Sequence, residues 1–136
     1  MNKLIANIEA CKDFIKKTKR LNNPNKIEFI NDEKTNLAVS MTLFSILNSI
    51  IEISEEIIDI EELRIPQSYQ ELFPILQQEK IISVNTSLKL KEYMKYRNMI
   101  AHQYAFFDIE NIFEMAQNLQ IFEKFIIEIE NYLKSI

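Results

Sequence analysis

Apolar residues return along this chain every three or four positions, the period of a helix. Leu4, Ile5, Ile8, Cys11, Phe14 and Ile15 share one side, with lysines between them, and predict an amphipathic helix over residues 2–21. "NNPN" at 22–25 breaks it. A second, longer helix is predicted from about 32 to 60, opened by Asp32 as N-cap. Leu37, Met41, Phe44, Leu47, Ile51 and Ile58 lie near one stripe, and Leu43, Ile46, Ile50, Ile53 and Ile57 widen it greatly. So broad an apolar surface calls for more than one neighbour: the rest of the bundle, and a second copy of the chain.

Pro66 ends the next loop. "SYQE" at 68–71 has the serine-to-glutamate spacing of a capping box, so a short helix starts there, and Pro74 should kink or shorten it. "NTSLKL" opens a fourth helix with Asn85 as N-cap. That helix carries Leu88, Tyr93, Met94, Arg97, Ile100 and Ala101 and ends near 103–107. Asp108 then caps a last helix, 109–134, with the stripe Ile112, Met115, Leu119, Phe122, Ile126, Ile129 and Leu133. No internal repeat, low-complexity linker or domain boundary interrupts the pattern. The expectation is an all-α, single-domain antiparallel bundle of about five helices over residues 1–136.

Composition narrows the chemistry. The chain has 136 residues, 47% of them apolar and none of them glycine. Glycine-rich phosphate loops cannot be written without glycine, and tight hairpins are disfavoured. Cys11 is the single cysteine and His102 the single histidine, so neither a disulfide nor a zinc site is expected, and Cys11 reads as a small core residue. The opening "MNKLIANIEACKDF" is charged at Lys3, Glu9, Lys12 and Asp13, and no run of about 20 apolar residues follows. A cytoplasmic protein without a membrane partner is expected.

The net charge is −4, but its distribution matters more. Residues 52–79 hold eight acids against Arg64; residues 80–104 hold Lys80, Lys89, Lys91, Lys95 and Arg97 against Glu92. The basic surplus surrounds "YRNMIAHQY" at 96–104, with Lys89, Lys91 and Lys95 as candidate RNA contacts. An arginine and a histidine suit phosphodiester cleavage without a metal or nucleotide cofactor. Histidine titrates near neutrality and can take the proton of a ribose 2′-hydroxyl; arginine offers a charged fork to the phosphate. RNA supplies its own nucleophile, and DNA, which lacks it, is not an expected substrate. Five residues on a helix turn through about 140°, so Arg97 and His102 do not point the same way. Either the helix loosens near His102, or the two side chains come from two chains that converge on one cleft. The structural alternative stands beside both: His102 satisfying helix-end carbonyls, Arg97 paired with an acid such as Glu52, Tyr104 in the core.

The stretch "RNMIAHQY" resembles the R-x4-H-x-Y motif of HEPN-domain proteins, specifically the HepT-like family. "PQSYQELFPILQQEKII" is similar to the family's proline, Ser-Tyr and phenylalanine-leucine segment, and "LNSIIEISEEII" to its apolar second helix with an acid, here Glu52. The resemblance spans roughly residues 35–130. It implies a homodimeric helical bundle with the motif lining a cleft at the dimer interface, and a metal-independent ribonuclease toxin. Arg97 and His102 correspond to the family's catalytic pair and Asn98 to its asparagine, which orients phosphate or helix. Tyr104 corresponds to the tyrosine onto which a minimal nucleotidyltransferase antitoxin, MntA, transfers AMP. Gln103 departs from the glycine or charged residue common at its position. Three functions follow for weighing: an endoribonuclease toxin, a non-catalytic substrate-binding subunit of a small nucleotidyltransferase, and a plain helical oligomerisation domain.

Overall fold

The computed structural model describes residues 2–102 and 108–136, and of residues 100–102 the backbone only. Among the described residues the chain is all-helical: α1 (Asn2–Leu21), α2 (Lys26–Asn31), α3 (Glu33–Ile60), a 3-10 turn (Tyr69–Glu71), α4 (Leu72–Gln78), α5 (Val84–His102), α6 (Ile109–Gln117) and α7 (Gln120–Ser135). Four long helices make the frame. Asn7 meets Glu56 and Thr18 meets Thr42, so α1 and α3 run antiparallel. Lys12 pairs with Glu130 and Lys19 with Glu123, which sets α7 antiparallel to α1. Ser83 meets Glu128 and Tyr93 packs on Phe122, which sets α5 antiparallel to α7. The buried side chains form one cluster, with Leu43, Ile46, Leu47, Ile50, Ile53 and Ile57 of α3 wholly enclosed.

Helix boundaries follow local chemistry. Asp32 caps α3 through the Thr35 N–H (3.2 Å), and Asp108 caps α6 through the N–H groups of Glu110 and Asn111, as the sequence predicts. The cap of α5 is Ser83, not Asn85: Ser83 Oγ accepts from the Thr86 N–H at 3.2 Å. The 68–71 box does not form as such. Ser68 makes no side-chain cap, whereas the Glu71 carboxylate accepts from the Gln67 N–H. Pro74 sits in the first turn of α4, where a missing N–H costs little.

Two differences raise the number of helices among the described residues from about five to seven. Residues 26–31 form α2, capped by Asn25 and closed where the Asn36 amide bonds the Ile30 carbonyl (3.1 Å). Six residues are too few for periodicity to register. The expected 109–134 helix breaks at Asn118, whose amide donates to the Glu114 carbonyl (2.7 Å) and whose N–H bonds Met115. Asparagine here competes with the backbone ladder. The apolar stripe runs straight through the break, with Met115, Leu119 and Phe122 all buried.

The long stripe of α3 is shifted from the expected one. Leu37 and Met41 are 52% and 56% exposed; Leu47, Ile51 and Ile58 of the expected stripe are buried, and the rest of the α3 core is built from the residues that seemed to widen it. Leu88 of α5 is 61% exposed. By length and composition α3 could cross a membrane, against the absence of such a run in the sequence reading. More than half of that stretch is buried inside the bundle, as in a core helix. Cys11 is wholly buried, and burial pushes its thiol up to about 12, which makes it inert.

Candidate functional site

Arg97 lies half-buried in the last turns of α5, facing α3 and the 3-10 turn. Four neighbours hold it. Its Nε donates to Asn48 Oδ1 at 2.9 Å and its Nη1 to Asn98 Oδ1 at 3.3 Å. Its guanidinium carbon is 5.4 Å from the centre of the Phe44 ring and 5.0 Å from that of Tyr69. Each ring attracts the cation by about 0.5–2 kcal/mol, depending on how dry the site is. Both amide partners are neutral. Glu52, one acid the structural alternative would pair with it, is one turn further along α3 and exposed, and among the described residues no carboxylate pairs with Arg97. The guanidinium is thus fixed in place with its charge uncompensated, which suits a group that receives an anion.

The helix stays α-helical through the backbone of His102, so positions 97 and 102 are about 140° apart around one axis. The His102 side chain, and Gln103 and Tyr104 entirely, lie outside the described residues. Lys91, Lys95 and Asn98 recur at helical spacing on one face of α5, and eleven residues, about three turns, bring the backbone of His102 onto the same face. Lys91 and Lys95 are exposed and, among the described residues, in no ion pair; Lys95 stacks 5.2 Å over Tyr96. Lys89 differs, leaning on Glu92 (3.7 Å) and Tyr93 (5.9 Å). Two cations therefore stay free for phosphate, rather than three.

Beside Arg97 is an open hollow of about 400 Å³, lined in part by Tyr69, Gln70 and Asn98. Among the described residues no group of three or more His, Cys, Asp or Glu is placed to hold a metal ion. Sequence reasoning found Arg97 and Asn98 and missed Asn48, Phe44 and Tyr69. The one available signal for Asn48 is an amide inside the apolar run "LFSILNSII", on a helix whose other polar residues there are serines.

A family model described as Ribonuclease HepT-like matches residues 4–129. The mRNA nuclease HepT of Shewanella oneidensis is 29% identical over 128 residues, 93% of this chain and 96% of the relative. Among solved structures, a tri-AMPylated Shewanella oneidensis HEPN toxin in complex with an MNT antitoxin superposes with a TM-score of 0.85 at 27% identity, covering 94% of this chain and 96% of that one. A toxin–antitoxin crystal structure with AMP-PNP gives a TM-score of 0.89 at 26% identity, covering 96% and 99%.

Proposed function

The chain belongs to the HepT-like ribonuclease family, and from that membership we propose that it is the toxin of a toxin–antitoxin pair, an endoribonuclease built as one domain over residues 1–136. The observation that carries the reading is the caged, carboxylate-free guanidinium of Arg97. In this role Arg97 holds the scissile phosphate and stabilises the charge that builds on it. His102 takes the proton of the 2′-hydroxyl; the 2′-oxygen bonds to phosphorus, the bond to the 5′-oxygen breaks, and the leaving oxygen gains a proton. The products are a 2′,3′-cyclic phosphate and a 5′-hydroxyl, and no metal takes part. Asn98 steadies the Arg97 fork, and Lys91 and Lys95, with Lys89 at the margin, draw in the RNA backbone.

The site is composite, with Arg97 of one chain and His102 of the other in one cleft of a homodimer. Two features support this: the 140° between the two positions, and the exposed strip Leu37, Met41 and half-buried Phe44, which runs along α3 to Asn48 and the Arg97 cage. The Shewanella oneidensis HEPN toxin named above is AMPylated and held with an MNT antitoxin. By the same chemistry an MntA-like nucleotidyltransferase silences this chain by moving AMP from ATP onto Tyr104. The adduct adds bulk and negative charge beside a phosphate site, which excludes RNA. The protein acts in the cytoplasm, where its substrate is.

Purified protein in excess chelator tests the reading. RNA should be cut to cyclic-phosphate ends, and Arg97→Ala and His102→Ala should each abolish cutting while staying folded. Incubation with the partner and ATP should add AMP to the wild type but not to Tyr104→Phe, which should remain toxic. Folded wild type that leaves RNA intact and growth unaffected would refute the nuclease.

A further inference from the structure

We propose that the hollow beside Arg97 is a nucleobase subsite in which Glu55 selects for bases bearing an exocyclic amino group; this rests on the ribonuclease reading above. The hollow is joined to the arginine cage by two residues. Tyr69 lines it and has its ring centre 5.0 Å from the Arg97 guanidinium; Asn98 lines it and accepts from Arg97 at 3.3 Å. A phosphate on Arg97 is tethered to its base by a single ribose, so a hollow that shares two walls with the arginine is where that base can reach.

The lining has the chemistry of a base edge rather than of a phosphate. Gln67, Gln70 and Asn98 bring amides, each able to donate and to accept, and Leu72 and Tyr69 bring apolar surface for a ring. No lysine or arginine lines it among the described residues, and Glu55 is exposed there. The volume of about 400 Å³ lies in the range that small-ligand sites occupy. Glu55 decides the preference. Its carboxylate only accepts hydrogen bonds. Adenine, cytosine and guanine each present an exocyclic amino group to it; uracil offers only its N3–H, flanked by two carbonyl oxygens that the carboxylate repels. An adjoining hollow continues along α3 past Glu55, Asp59 and Glu62. Three carboxylates turn the phosphate backbone away from that direction, so the strand leaves towards Lys91 and Lys95.

Equilibrium binding of the four nucleoside 3′-monophosphates to the full chain tests this. The adenosine, cytidine and guanosine 3′-phosphates should bind about tenfold tighter than uridine 3′-phosphate, the discrimination of one good hydrogen-bonded contact. Glu55→Gln, which can donate to a uracil oxygen, should bring all four within about twofold. Arg97→Ala should weaken all four alike. Equal binding of the four by wild type, a preference that survives Glu55→Gln, or no binding at all overturns the subsite. The nuclease reading fails separately: a base preference without any RNA cutting removes the nuclease and keeps the subsite, whereas cutting without base preference does the reverse.

Discussion

A carboxylate at position 48 would hold Arg97 more tightly than the amide that stands there, if holding it were the whole purpose. A charge-assisted bond to a guanidinium is roughly twice as strong as a neutral one. The structure instead offers Arg97 two amide oxygens and two aromatic faces. Asn48→Asp therefore separates two roles of the arginine. If Arg97 only props α5 against α3, the variant should melt no lower and behave as wild type. If Arg97 receives a phosphate, the new ion pair spends its charge. Cutting should then fall by about 10²-fold or more, the order lost with one donor to a developing oxyanion, at an unchanged melting temperature. Parallel thermal melts and RNA cleavage decide it, and undiminished cleavage would make Arg97 structural. Arg97 and Asn98 were legible because they stand in a short motif. Asn48 was not, because its partner is 49 residues away and spacing alone cannot rank the polar positions of α3.

Without glycine, the helices of this chain end in an unusual way. Both α3 and α4 close with the paired bonds of a Schellman motif, Leu63 N–H to Ile58 and Glu62 N–H to Asp59 in one, Ile81 N–H to Leu76 and Lys80 N–H to Gln77 in the other. That motif needs a left-handed residue, normally glycine. Here Glu62 (φ 53°) and Lys80 (φ 61°) take the position despite their β-carbons. The left-handed region costs an L-residue about 1–2 kcal/mol, and glycine's extra freedom when unfolded returns about 0.5–1 of that. Lys80→Gly should therefore stabilise by about 0.5–1 kcal/mol, raising the thermal midpoint by a few degrees. A lower midpoint would mean that the Lys80 side chain contributes more than its backbone strain costs. The same absence of glycine explains what the sequence hid. Helix starts were marked at Asp32 and Asp108, by caps with a chemical signature. The end of α1 was marked by "NNPN", but the end of α6 carried no such mark, so the gap between α6 and α7 went unseen while the apolar stripe ran on across it.

At the scale of the whole molecule, α1, α3 and α7 were readable from periodicity, because each shows an apolar stripe, whereas α5 carries almost none and was placed by its opening segment and its motif. Which apolar residues stay outside was not readable, since a stripe records hydrophobicity and not what covers it. Leu37, Met41 and Leu88 are outside. In the proposed dimer each of two equivalent clefts takes Arg97 from one chain and His102 from the other. Two dead variants should then restore one another. A heterodimer of Arg97→Ala with His102→Ala has one cleft lacking both groups and one cleft with both. Chains unfolded and refolded together at equal amounts pair at random, so about half the dimers are mixed, each with one of two clefts alive. The mixture should recover about a quarter of wild-type cleavage, from two preparations that show none. Were both groups supplied by the same chain, every cleft in the mixture would lack one of them. No recovery, with mixed dimers demonstrated by native mass spectrometry, would then move the site inside a single bundle and leave the exposed strip of α3 without a catalytic reason.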